Sequence, residues 1–250
     1  MLKLEFNVNG IIDLIYREPR GIPGTVQRCT DRKLPENFKN YEKWGFTIYR
    51  TYYGPESDQS WNMLLGALKQ QTLLALGYYE DQDDDKEDLE IVKNMFHLDP
   101  REDASLLEGL DVRGLREVCW KEDRSNRTMA ARLYRHVLLA DESVLTDIAN
   151  GEFVVKAVAF DWEEGDENWG WMRIPTGYLL ELWHTLMLWS EMTHRALEFD
   201  GEEEDLNGYI WPGSLSAPKT SCCSEVRPIF EHYAAQRRIQ YVYSRSKRTV

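Results

Sequence analysis

The fold is decided by one segment rich in aromatic and β-branched residues, Trp44-Gly45-Phe46-Thr47-Ile48-Tyr49-Arg50-Thr51-Tyr52-Tyr53. This composition favours a β-strand, and the Gly-Pro pair that follows ends it. Ser57 or Asp58 then offers a side-chain oxygen that caps a helix. Apolar residues spaced three and four apart continue to Gly77 and predict one buried helix face. The segment therefore predicts a strand followed by a capped helix.

The same criteria predict further strands and helices along the rest of the chain. Three more segments are predicted strands: 91–98, 132–139 and 153–160. Asp111 and Asp141 are predicted helix caps, and Pro175 suits the first turn of a later helix. The mixture predicts an α+β fold, with a ferredoxin-like sheet of about four strands and helices on one face. The segment 229–243 is compatible with helix or strand.

The distribution of loops and charges divides the chain into three parts. Residues 1–43 are punctuated by Gly and Pro and predict a loop-rich N-terminal extension. Residues 44–197 hold the predicted α+β domain. Residues 198–250 begin with an acidic loop and end in a basic C-terminal extension.

Composition and charge restrict the function class. The chain has 250 residues, with 30 Lys and Arg against 43 Asp and Glu, which gives a net charge of −13. An acidic body repels phosphate, so nucleic acid is not an expected partner. No apolar run is long enough to span a membrane, and Glu5, Asn7 and Asn9 interrupt the start where a secretory signal would be apolar. We therefore expect a soluble protein of the cytosol or nucleus.

Neither a metal site nor a cofactor site is predicted. Three aspartates alternate as calcium ligands would: Asp81, Asp83 and Asp85. An EF-hand loop needs Gly at its sixth position and Glu at its twelfth, where this chain has Lys86 and Val92. The histidines and cysteines lack the close pairs that a zinc site requires. We therefore interpret the acidic run as a solvated loop and expect no bound metal.

Two motifs resemble a family of uncharacterised fungal proteins. One is the segment 44–54 followed by Ser57-Asp58 and Trp61, and the other is Gly170-Trp171-Met172-Arg173 before a helix. The resemblance covers roughly residues 34–189. It implies a shared fold and a fungal origin, and it implies no site, because the family has no known activity.

Four of the five candidate contact residues lie on the predicted strands. Tyr49, Tyr134, His136 and Lys156 are expected to share one sheet face that helices leave uncovered. Trp171 is expected in a loop, where aromatic residues often line interfaces. These residues favour a binding or interaction protein without catalytic chemistry. Its partner would be an unidentified protein or a small apolar molecule, and a homodimer through the sheet is a further expectation.

A cofactor-independent small-molecule enzyme is the alternative hypothesis, for example one acting on a fungal secondary metabolite. His136 would be its acid or base, because imidazole titrates near neutral pH. Arg50 or Lys156 would stabilise a developing oxyanion. A closed aromatic cavity of roughly 300 Å³ containing His136 would favour the enzyme. A flat, open sheet face would favour the interaction protein.

Overall fold

The computed structural model describes residues 8–18, 31–76, 86–122, 128–166, 168–188, 197, 199 and 201–211. Three predicted features lie outside these residues: the helix end at Gly77, the acidic run at 81–85, and everything from residue 212 onward, including the segment 229–243 and the basic extension.

Helices and strands alternate along most of the described chain. The α-helices are α1 (Val8–Ile15), α2 (Ser57–Leu76), α3 (Lys86–Met95), α4 (Ala104–Leu107), α5 (Val112–Lys121), α6 (Met129–Tyr134), α7 (Glu142–Ala149) and α8 (Leu179–Leu188). The strands are β1 (Trp44–Arg50), β2 (Phe96–Arg101), β3 (His136–Ala140), β4 (Val154–Ala159) and β5 (Trp171–Pro175). Short 3-10 helices span Pro35–Asn40, Thr176–Tyr178 and Glu203–Asn207. None of the described helices combines the length and the apolar character that crossing a bilayer requires.

The strands form one mixed sheet in the order β2-β1-β3-β4-β5. β1 runs parallel to both β2 and β3, while β3–β4 and β4–β5 are antiparallel pairs. A parallel neighbour requires a crossover, and the stretch that contains α2 and α3 joins β1 to β2. The α+β prediction is confirmed. The four-stranded ferredoxin-like sheet is not, because the sheet has five strands in a mixed order.

The additional strand is β5, whose first residue Trp171 was expected in a loop. Gly170 before it has a positive φ of 63°, and Pro175 ends it. In the sequence, Gly170 is typical of a loop and Pro175 is typical of the first turn of a helix. Pro175 is tolerated because β5 is an edge strand, where a missing amide costs no ladder hydrogen bond. It precedes the Thr176–Tyr178 turn and α8 instead of starting the helix itself.

Two predicted strand boundaries are wrong for a common reason. In segment 91–98 the chain is helical as far as Met95, and β2 starts only at Phe96. In segment 132–139 helix α6 continues to Tyr134, and Arg135, in the left-handed conformation with φ 56°, separates it from β3. Short apolar runs fit either periodicity, so the helix-to-strand junction was not visible.

Both faces of the sheet are covered, contrary to the expectation of helices on one face. Every residue of β1, β3, β4 and β5 is buried. Trp44 packs against Trp183 of α8, with ring centroids 4.9 Å apart. Tyr49 alternates with Ile48 along β1 and donates its hydroxyl proton to Glu122, the residue after α5. Helix α8 and the residue that follows α5 thus both contact this one strand.

The predicted N-terminal extension contains a helix that belongs to the core. Val8, Ile11, Ile12 and Ile15 of α1 are buried, at the spacing of one apolar helix face. Tyr16 also pairs with Tyr41 in an antiparallel bridge. The region is therefore less irregular than its Gly and Pro content indicates. The domain boundaries after residues 43 and 197 stay predictions.

Gly45 is required by the β1–β2 contact. Its φ is +126°, and a Cβ atom there would lie 2.2 Å from the backbone oxygen of His97. We expect Gly45→Ala to lower the free energy of unfolding by about 2 kcal/mol or more, because both the backbone and the neighbouring strand must shift. Urea denaturation, monitored by circular dichroism, measures this change in free energy.

Gly66→Ala is the matched control, because a Cβ atom at Gly66 in α2 would meet nothing within 4 Å. It should raise the free energy of unfolding by about 0.5–1 kcal/mol, as expected for glycine replacement inside a helix. Equal stability of the two variants would contradict the described β1–β2 packing.

Candidate functional site

A cross-strand row of long polar side chains lies on one face of the sheet. The pairing register places Tyr49 opposite Leu139, Leu139 opposite Lys156, and Lys156 opposite Arg173. Residues paired directly across strands point to the same face. We call Tyr49, Lys156, Trp171 and Arg173 the polar face. Trp171 belongs to it because it lies two residues before Arg173 on β5.

Lys156 is buried on the polar face with its charge compensated. Its side chain is 7% exposed, and its Nζ donates a hydrogen bond to Oδ2 of Asp141 at 2.6 Å. The ammonium also lies 5.0 Å from the ring centroid of Trp171. Burial alone would raise the pKa of Asp141, but the Lys156 charge and hydrogen bonds outweigh it, so the pKa is lowered. The Asp141 carboxyl is therefore ionised at neutral pH.

Asp141 has a second structural role at the start of α7. Its side chain accepts a hydrogen bond from the backbone amide of Val144, as an N-cap does. The sequence predicted this cap correctly. One carboxylate thus joins β4 to the helix that precedes it.

Arg173 is held from two directions. Its guanidinium pairs with Asp147 of α7 and donates to the backbone oxygen of Asn207. Its neighbour Trp171 donates from the indole Nε1 to Glu203 at 3.0 Å. The Glu203–Asn207 turn therefore covers this end of the polar face and contributes an acceptor to each side chain.

Arg116 of α5 secures the segment between β4 and β5. It is buried and donates to the backbone oxygens of Ala159 and Trp169, at 3.0 and 2.8 Å. The guanidinium stacks on Trp162, 4.3 Å from the ring centroid. Burial lowers the pKa of Arg116 to about 10. The sequence pattern of α5 predicts a helix but gives no sign of this role of Arg116.

The structure brings together three of the five predicted contact residues. Tyr49, Lys156 and Trp171 share the polar face. His136 pairs with Ala159, and its alternation with Val137 places it on the opposite face. Tyr134 belongs to α6 instead of a strand. The expected common face is therefore wrong for His136 and Tyr134, because Arg135 breaks the predicted strand.

The polar face is closed, contrary to the expectation of an uncovered surface. Tyr49 donates to Glu122 at 2.6 Å, and burial with the nearby Cys119 and Glu122 raises the pKa of Tyr49. His136 on the other face is 1% exposed, and its Nδ1 lies 2.5 Å from the backbone oxygen of Tyr134. Arg50 is also engaged, at 2.5 Å from Asp58. Each of these three side chains contacts a partner within the fold.

An accessible concave surface lies elsewhere, on helix α2. It has a volume of about 360 Å³. We call it the α2 groove, and its lining residues are Met63, Gly66, Ala67, Gln70, Gln71, Leu74 and Phe153. None of these seven described residues has an ionisable side chain or a nucleophile. The sequence pattern of α2 indicated its buried face but not this outer one.

Within the part of the chain that the structure describes, no three His, Cys, Asp or Glu residues form a group suited to holding a metal ion. No protein-family model matches the chain, and no curated protein or solved structure is significantly similar to it. The resemblance to fungal proteins and the fungal origin therefore stay predictions.

The ion pair on the polar face predicts a pH-dependent stability. Asp141→Asn keeps an N-cap residue but leaves Lys156 buried and uncompensated, so we expect a loss of about 3 kcal/mol of unfolding free energy at neutral pH. Because the folded-state pKa of Asp141 lies below its ordinary value of 3.8, the contribution is present above that value and disappears as the pH falls through the lowered pKa. The difference between wild type and variant should therefore shrink in acid.

Asp111→Asn is the control, since Asp111 caps α5 through Gly114 and has no ion-pair partner among the described residues. It should change the unfolding free energy by no more than about 0.5 kcal/mol. Chemical denaturation at several pH values measures both variants. An Asp141→Asn protein as stable as Asp111→Asn would show that the Lys156 pair is unimportant.

Proposed function

We propose that this chain is a binding protein without catalytic chemistry and that the α2 groove is its contact surface. The observation that carries the proposal is the composition of the groove lining. Its side chains supply apolar area and two neutral amides, which suit contact with an uncharged surface. Acid–base or nucleophilic catalysis needs a titratable or nucleophilic group within reach of the substrate. A location in the cytosol or nucleus is part of the same proposal.

The proposed partner is a protein surface or a small apolar molecule. Gly66 and Ala67 leave space at the centre of the groove, while Met63 and Leu74 offer apolar side chains towards its ends. A charged ligand would lose its hydration there without gaining an ionic partner. Nucleic acid is also disfavoured, because the net charge of −13 repels phosphate.

The alternative role as a cofactor-independent enzyme has less support. It would require His136 to face a cavity, and His136 is buried within the central sheet. Arg50 and Lys156, the candidate oxyanion-stabilising groups, are committed to Asp58 and Asp141. His136 also does not belong to the lining of the α2 groove.

Binding to the groove is testable with the uncharged dye Nile red, whose fluorescence rises in apolar surroundings. We expect wild-type protein to increase the dye fluorescence in a saturable manner. Gly66→Leu should weaken dye binding about tenfold or more, because its side chain enters the open space above Gly66 and occupies the groove.

Lys69→Leu is the matched control, because it adds the same side chain to an exposed position of α2 outside the groove lining. It should bind the dye as wild type does. A wild-type protein that does not enhance the fluorescence, or equal binding by the two variants, would refute the proposed contact surface.

A further inference from the structure

Arg135 differs from the other arginines of the described chain because its guanidinium has no oxygen partner among the described residues. Its Nη1 atom is buried and makes no hydrogen bond. Arg116 donates to two backbone oxygens. The others each pair with a carboxylate: Arg17, Arg32, Arg50, Arg101, Arg113, Arg132 and Arg173. Because a buried donor without an acceptor costs free energy, Arg135 needs a different explanation from the rest.

The surroundings of this guanidinium are aromatic. Its Cζ atom lies 5.6 Å from the ring centroid of Trp120 and 5.9 Å from that of Phe160. The two rings meet edge to face, with centroids 5.8 Å apart. Phe160 is buried, but Trp120 on α5 is 53% exposed. An aromatic ring attracts a cation but supplies no oxygen acceptor, so the N–H groups of Arg135 keep their capacity to bind an anion.

The backbone of Arg135 is held in a conformation that costs free energy. Its φ of 56° and ψ of 28° are left-handed, at the position after α6 where glycine is the usual residue. The backbone oxygen of Arg135 accepts a hydrogen bond from the amide of Phe160, which fixes the arginine beside this ring. Non-glycine residues in such conformations are concentrated at binding and catalytic sites. The position is therefore consistent with a role in binding.

The described carboxylates that neighbour these residues along the chain have other partners. Glu117 pairs with a lysine of its own helix, and Glu122 accepts a hydrogen bond from Tyr49. Asp161 acts on the charge of Arg116. A single cation matches a single carboxylate better than a phosphate group, because a phosphate brings up to two negative charges towards a chain with a net charge of −13.

The exposure of Trp120 indicates what carries the carboxylate. An indole that is more than half exposed does not enclose a small molecule, whereas it can lie flat against a protein surface. Tryptophan and arginine are also the residue types that most often dominate the energy of protein–protein contacts. A partner protein therefore fits this surface better than a free metabolite.

We propose that Trp120 and Arg135 form a second contact site, which binds a segment of a partner protein with an acidic side chain next to an aromatic one. The carboxylate accepts from the N–H groups of Arg135, and the aromatic side chain packs on Trp120. This site is additional to the α2 groove of the proposed function. Phe153 lines the groove and precedes β4, whereas Phe160 follows β4, so the two sites lie at opposite ends of that strand.

NMR spectroscopy of the full chain, labelled with nitrogen-15 at tryptophan, tests the proposal. The indole signal of Trp120 is assigned with the variant Trp120→Phe. The peptide acetyl-Ala-Glu-Phe-Ala-amide should shift this signal in a saturable manner, with a dissociation constant of about 1 mM or tighter. Peptides with Gln in place of Glu, or with Ala in place of Phe, should bind about fivefold more weakly or worse. Absence of a shift, or equal binding of the three peptides, would overturn the proposal.

The variant Arg135→Gly separates binding from folding. It should bind the Glu-Phe peptide about tenfold more weakly or worse, because the cation is lost. Its urea unfolding midpoint should equal or exceed that of wild type, because glycine adopts the left-handed conformation without strain. Arg113→Gln is the matched control, since it removes the same charge from an exposed position of α5 and should bind as wild type does. Equal peptide binding by Arg135→Gly and wild type would show that Arg135 is not part of a binding site.

Phenylacetate distinguishes a partner protein from a small ligand. It carries a carboxylate and an aromatic ring without a peptide chain, and we expect it to bind about fivefold more weakly than the Glu-Phe peptide or worse. Binding of phenylacetate as tight as that of the peptide would overturn the protein partner and indicate a site for small aromatic acids.

Discussion

The structure depends on one electrostatic constraint: cations buried on a sheet face must be paired. Lys156 and Arg173 lie side by side on the two antiparallel strands at one end of the sheet. A buried ammonium or guanidinium without a counterion would cost several kcal/mol. Asp141 and Asp147 of α7 supply the opposite charges, and Asn207 adds a backbone acceptor. Helix α7 must therefore lie where its Asp147 and its cap Asp141 can reach the two cations of β4 and β5.

This pairing decides which surface is available for function. The polar face contains the residue types from which active sites are built, yet its ammonium, guanidinium and phenol groups all contact internal partners. The turn that receives Trp171 and the loop held by Arg116 close it further. The α2 groove has the opposite character, because its described lining residues are uncharged and include the exposed apolar side chains of Met63 and Leu74. A closed polar face and an accessible uncharged groove agree better with a binding function than with a catalytic one.

The sequence predicted the elements that carry strong local signals. Strand β1, helix α2 and the caps Asp111 and Asp141 were all recognisable from composition and spacing, and the structure confirms them. These features depend on neighbouring residues only. The α+β class followed from them.

The remaining features depend on tertiary contacts. Strand β5 was hidden because Gly170 and Pro175 resemble loop signals. The sequence does not show which sheet face His136 occupies, because the left-handed residue Arg135 interrupts the predicted strand just before it. A shift of one residue in a strand moves a side chain to the other face of a sheet. The partnership of Lys156 with Asp141 joins residues fifteen positions apart and needs the β3–β4 register to be visible.

Amine acetylation of the native protein, followed residue by residue by mass spectrometry, tests the closed polar face most directly. Lys156 should react far more slowly than exposed Lys69, because its ε-amino group is buried and bound to Asp141. Unfolding in urea should make the two rates similar. Equal rates in the native protein would show that the polar face is open to solvent, and would contradict this account.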